Sequence, residues 1–146
     1  MNQTLSPSPT TTSAERQWAA LAHLAAVVLA LCTSWIAGVA GVLGAGVVFL
    51  LKRDASPFIA AHAKEAMNFN LSMFIYACAA TAIGIVLLGA TVLTLGLGAI
   101  LTLPAGLLLL AVYGVIAIMW LVCSVVAMAK AWNGESYRYP LTWRLI

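Results

Sequence analysis

Residues 17–51 read QWAALAHLAAVVLALCTSWIAGVAGVLGAGVVFLL, thirty-five residues between Arg16 and Lys52 without one formally charged side chain. Between Glu65 and Lys130 the chain runs sixty-four more without a charge. A bilayer core of roughly 30 Å asks for about 20 apolar residues per helix, so stretches of this kind are matched to lipid. The composition agrees: 64% of the 146 residues are hydrophobic, 8% are charged, and the mean hydropathy is +1.05. These features predict an all-α, polytopic helical membrane protein.

The first run decides the architecture. As one helix it would reach about 52 Å, too long for a single span even with strong tilt. It must bend, break or fold back. The trio Cys32, Thr33 and Ser34 followed by Trp35 is the expected break, since hydroxyls satisfy freed backbone groups and an indole prefers the headgroup level. That yields two segments, about 17–32 and 35–51. The second carries Ala37, Gly41 and Ala45 at four-residue spacing beside Gly38, Gly44 and Gly46, a nearly bare face for close helix packing.

After Lys52, Arg53 and Asp54, the pair Ser56–Pro57 signals a new helix, with the hydroxyl expected to cap free amides and the ring presetting the first turn. This helix begins with His62, Lys64 and Glu65 and turns apolar from about Phe69 to Leu95, so its start is expected as an interfacial lead-in. Gly96, Gly98, Thr102 and Pro104 mark the next break, with Pro104 opening a final helix to about Trp132. Asn133 and Gly134 end it. The remaining ESYRYPLTWRLI mixes aromatics with Arg138 and Arg144 and is expected along the membrane surface.

Two domains of reading follow: a disordered polar tail over 1–15, rich in Ser, Thr and Pro, and a single helical membrane domain over 16–146. Signal-peptide cleavage is not expected, because Glu15 balances Arg16 and a long apolar region follows. If the first run is a hairpin, every Lys and Arg falls on one side of the membrane, which the positive-inside rule makes cytoplasmic for both termini. Four hydrophobic segments are therefore expected: a broken or hairpin first segment, then two long helices. Three spans with the N-terminal tail outside is the alternative.

Seven Lys and Arg against four Asp and Glu give a net charge of +3, scattered near segment ends. This reads as topology rather than nucleic-acid binding. Cys32, Cys78 and Cys123 are far apart in apolar sequence and read as packing residues.

Two stretches resemble signatures of a small prokaryotic membrane family of unknown function, itself similar to Tic-twenty of the chloroplast inner-envelope translocon. They are SPFIAAHAKEAMNFNLS at 56–72 and AKAWNGESYRYPL at 129–141. The matching positions are Ser56, Pro57, His62, Lys64, Glu65, Ala66, Asn68 and Phe69, then Lys130, Ala131, Asn133, Gly134, Glu135, Tyr137, Tyr139 and Pro140. An Ala-Leu-x-His-Leu opening ends at Leu24 and contains His23. The chain departs at TSWIAGVAGVLGAG, which has glycine but no proline where relatives often carry both. The resemblance implies an integral plasma-membrane protein and no assigned activity; a protein-import role would be analogy.

His62, Glu65, Asn68 and Ser72 follow at spacings of three and four along one helix face. With His23 and Lys64 they form the candidate polar face, either lining a path across the membrane or hydrogen-bonded between helices. Lys130, Asn133, Glu135, Tyr137, Arg138 and Tyr139 form a candidate rim for lipid or a partner. Nothing matches a Ser-His-Asp, His-Glu-x-x-His or Walker pattern, so no enzyme, cofactor or metal is expected. The expected role is a non-enzymatic scaffold or accessory subunit, with membrane lipid, a second copy or another membrane protein as partner. An oligomeric translocation or transport component is the competing reading: it requires His62, Glu65 and Asn68 to face a wet cavity.

Overall fold

The computed structural model describes residues 11–33 and 37–146. Four helices follow in order: α1 (Ser13–Thr33), α2 (Ala37–Lys52), α3 (Pro57–Leu93) and α4 (Ala99–Trp132), with no strand among the described residues. α1, α3 and α4 are long and apolar enough to cross a membrane, whereas the 16 residues of α2 make only about 24 Å. α1 runs through Cys32 and Thr33; the rest of the expected break, Ser34 to Ile36, lies outside the described residues.

α1 and α2 are antiparallel neighbours. The Lys52 ammonium stands 4.5 Å over the Trp18 ring, Ala22 packs with Val48, and Ala26 packs with Ala45. Arg16 and Lys52 therefore share one end, as a hairpin requires. α3 returns beside both, placing Ala63 with Ala22 and Ala66 with Ala26. α4 runs antiparallel to α3, with its last turns against the first turns of α1 through Ala131, Ala19 and Ala20.

The small residues of α2 set these distances. A Cβ on Gly41 or Gly38 would collide with Asn70 or Phe74 of α3, and one on Gly44 would meet the Ala25 carbonyl oxygen of α1 at 2.8 Å. Ala45 is fully buried between α1 and α3. The expected bare face thus serves two neighbours; the side chain of Ala37 lies outside the described residues.

Several local readings change. α1 starts at Ser13, so Ser13–Glu15, read with the polar tail, belong to the helix; residues 1–10 lie outside the described residues. Thr12-Ser13-Ala14-Glu15 is a capping box: the Glu15 carboxylate accepts from the Thr12 amide at 2.8 Å, and the Thr12 hydroxyl accepts from the Glu15 amide at 3.2 Å. Ser56 holds the N-cap position with Pro57 after it, yet its hydroxyl caps nothing and donates to the other Glu15 oxygen at 2.6 Å. One carboxylate ties together the starts of α1 and α3. Pro104 does not open the last helix but sits in its second turn, where it lacks the amide that would reach back to Ile100. Of the cysteines read as packing residues, Cys123 is half-buried and packs against the cluster of Phe69 and Met73, whereas Cys32 and Cys78 are exposed.

The helices differ sharply in length. Phe74 of α3 lies level with Gly38 at the far end of α2, and the Tyr113 hydroxyl of α4 bonds the Ala77 carbonyl at 2.8 Å. Beyond that level α3 and α4 continue, alone among the described residues, to a turn at 94–98, where Leu95 and Gly96 take positive φ of 51° and 88° and the Gly96 amide closes α3 on the Thr91 carbonyl. Thr91 and Thr102 bond each other across this extension at 2.5 Å. Its large exposed hydrophobic side chains are Leu, Ile and Val.

Candidate functional site

The polar residues of the charged end are inside the fold. His23, His62, Asn68, Asn70, Ser72 and Ser124 are each at most 2% exposed. What surrounds them is the segment after α4. The chain leaves Trp132 through Asn133 and Gly134, whose φ of 77° needs glycine's freedom, and residues 135–146 turn back along α3 without regular structure.

An irregular strand at membrane depth must have its amides and carbonyls satisfied by protein. The row on α3 supplies the partners. The His62 Nε2–H donates to the Glu135 carbonyl at 3.1 Å. Glu65 accepts from the Tyr139 amide at 3.3 Å and from the Arg144 guanidinium at 3.0 Å. The Ser72 hydroxyl accepts from the Trp143 amide at 2.9 Å, and the Tyr76 hydroxyl donates to the Leu141 carbonyl at 2.8 Å. Asn68 accepts from the amides of Leu145 and Ile146 at 2.8 and 2.9 Å and donates to the Ile146 carbonyl at 3.1 Å, which fixes the orientation of its amide. The face at spacings of three and four is a template for the backbone of the C-terminal segment.

Behind it runs a chain of four groups. His62 Nδ1 lies 2.9 Å from His23 Nε2, and His23 Nδ1 lies 2.9 Å from the Tyr139 hydroxyl. A carbonyl only accepts, so the Glu135 oxygen places the His62 proton on Nε2 and leaves Nδ1 as acceptor. His23 must then donate from Nε2 and accept at Nδ1 from the Tyr139 hydroxyl. With both rings neutral they are Nε2–H tautomers, and every polar atom in the chain has its partner. Burial holds the Tyr139 phenol well above its ordinary value, keeping it a donor, and its ring stacks on Phe69 with centroids 4.0 Å apart.

His23 thus meets His62 and Tyr139, not Glu65 or Asn68. The expected rim divides. Tyr139, only 3% exposed, is a core residue; Lys130 pairs with Glu135; Arg138 is exposed and Tyr137 half-buried, its phenol pushed up to about 12 mainly by burial. Lys64 and Arg138, which make no ion pair among the described residues, border a groove of about 560 Å³ that His62, Glu65 and Asn68 also line, as the competing transport reading requires. Asn70 was not singled out from sequence. Its side chain donates to the Ala66 carbonyl, accepts from Trp120 Nε1 at 3.1 Å, and fills the space left by Gly41. An asparagine two residues after another in an apolar helix was the available signal.

Among the described residues no three His, Cys, Asp or Glu side chains gather as a metal set. The chain can fix its C-terminal segment. One test is direct. Asn68→Ala removes all three bonds to residues 145–146, and leaving those backbone groups without partners costs about 1–3 kcal/mol each where they are buried. Hydrogen exchange of the 141–146 amides is expected to accelerate by at least tenfold while that of α1 and α4 is unchanged. Equal exchange in both proteins would refute the template.

A family model, MamF/MmsF, described as the magnetosome magnetite crystal formation protein family, matches residues 14–146. The chain belongs to this family. The match runs from the second residue of α1 through the clasped C-terminal segment; a small membrane protein family was expected, and the one found is a magnetosome family. It brings nothing on the expected similarity to Tic-twenty. No curated protein and no solved structure matches the chain.

Proposed function

We propose that this chain is a non-enzymatic scaffold of the magnetosome membrane, serving magnetite crystal formation by presenting its charged end to another membrane component. The observation that carries the reading is the fate of the row on α3. A transport path needs His62, Glu65 and Asn68 to face water across the membrane, whereas here they line only a groove at the charged end and are bonded there to residues 135–146, with the second nitrogen of His62 turned to His23. What stays open at that end is the groove with Lys64 and Arg138, suited to a partner or to anionic lipid. The charge distribution supports placing this end, with both termini, on the cytoplasmic side.

The test uses cells that form magnetite and carry Lys64→Gln with Arg138→Gln in place of the native gene. Crystals are expected to become as small or irregular as in a deletion strain, by electron microscopy, with unchanged amounts of protein in the membrane. Normal crystals would overturn the role of this face. Iron uptake into liposomes holding the purified chain, above that of empty liposomes, would favour transport instead. Impermeant maleimide applied to intact cells should spare a single cysteine at Ser136; labelling there would reverse the orientation.

A further inference from the structure

The difference in helix length gives the molecule a taper. At the charged end a cross-section cuts α1, α2, α3, α4 and the segment 135–146, all packed together. Past Phe74 it cuts α3 and α4 alone among the described residues, with 19 residues of α3 (75–93) left before its end, about 28 Å by helical rise. With each helix about 10 Å across, the wide end has at least twice the area of the narrow one.

The narrow end is built for lipid. Leu93, Leu95, Leu97, Ile100 and Leu101 are 79–93% exposed, and a Cβ on Gly89, Gly106 or Gly114 would meet nothing within 4 Å. At the shoulder lies an apolar cleft of about 500 Å³, between Ala30, Leu31 and Gly38 on one side and Phe74, Cys78 and Tyr113 on the other. Lipid chains must fill the space that α1 and α2 leave free.

We propose that this taper makes the chain select curved membrane, with its wide, charged end in the convex leaflet. One leaflet accommodates four helices and a strand and the other accommodates two, so a flat bilayer must stretch one leaflet or crowd the other. A bilayer bent away from the narrow end matches both areas. This deepens the scaffold reading, since a closed vesicle inside a cell turns its convex face to the cytoplasm, the side on which the charged end is placed. The property needs no partner and is tested in pure lipid, so its failure is separate from failure of the crystal phenotype.

The experiment takes the full chain with its three cysteines replaced by serine or alanine and one cysteine placed at exposed Ser136. It is reconstituted into giant phosphatidylcholine vesicles and labelled with an impermeant fluorescent maleimide, which marks only molecules whose charged end faces outward. Membrane tubes are then drawn out. The labelled population is expected to be denser in the tube than in the parent vesicle, by a ratio that rises as the tube narrows. Molecules labelled from inside, in the opposite orientation, are expected to be depleted. Equal density at all tube widths would overturn the proposal. So would stepwise bleaching that shows stable dimers without sorting, because a second copy packed on the free halves of α3 and α4 would fill the taper.

Discussion

Gly44→Ala is expected to destabilise the protein strongly, although it adds one methyl group to a helix. The new Cβ would stand 2.8 Å from the Ala25 carbonyl oxygen and 2.9 Å from its carbon, and these are backbone atoms of α1 that no rotamer change can withdraw. The hairpin must open along the line where Ala22, Ala26, Ala45 and Val48 interlock. Overpacking of a tight core costs typically about 1–3 kcal/mol, and a collision with backbone belongs at the upper end. Gly46→Ala is the matched control. Its Cβ would find the Met67 methyl at 3.7 Å, an ordinary contact, and alanine gains up to about 1 kcal/mol in helix propensity. Thermal unfolding in detergent should lower the midpoint of the first variant and leave that of the second equal or higher. Equal shifts would mean that α1 and α2 are not joined at this register.

His23→Leu is expected to cost more than Tyr139→Phe. The ring is the middle of the sequence Glu135 carbonyl, His62, His23, Tyr139, so removing it strands both His62 Nδ1 and the Tyr139 hydroxyl in a dry interior. Each buried group left without a partner costs about 1–3 kcal/mol. Tyr139→Phe strands only His23 Nδ1 and keeps the stacking on Phe69. The double variant should be less destabilised than the sum of the two, because the second change removes a group that the first had orphaned. A double-mutant cycle by denaturant unfolding in detergent measures this; strict additivity would show that His23 and Tyr139 do not bond.

Much of this architecture was legible before the structure. Thirty-five uncharged residues interrupted by Cys32, Thr33 and Ser34 read as a fold-back, and the glycines after it announced close packing; length alone does not decide this, since the 37 residues of α3 form one helix. The row His62, Glu65, Asn68 and Ser72 was visible as one face because helical spacing is a local property. Its partners were not visible. They are amides and carbonyls of residues 135–146, and every sequence contains such groups at every position, so no composition marks where they will dock. Tyr139 was misplaced for the same reason: an aromatic amid Arg and Tyr reads as a boundary residue until the histidine it reaches, 116 positions earlier, is beside it. The start of α1 was legible and passed over, since Thr12 to Glu15 spells a capping box inside what reads as a polar tail. The unequal helix lengths followed from the charge-free runs, but the offset of one pair against the other is set by Gly38 on Phe74 and Gly41 on Asn70, which only packing reveals.

The clasp formed by residues 135–146 also bears on how the protein is made. α1, α2 and α3 emerge from the ribosome first; His23 and His62 can already bond each other, but the Asn68 side chain, the second nitrogen of each histidine and the acceptor side of Ser72 still lack partners. Their partners are the last part of the described chain to be synthesised, and Asn68 waits for Leu145 and Ile146 themselves. Assembly therefore closes from its final residues, and until they arrive the nascent bundle must hold its polar row in water at the membrane edge.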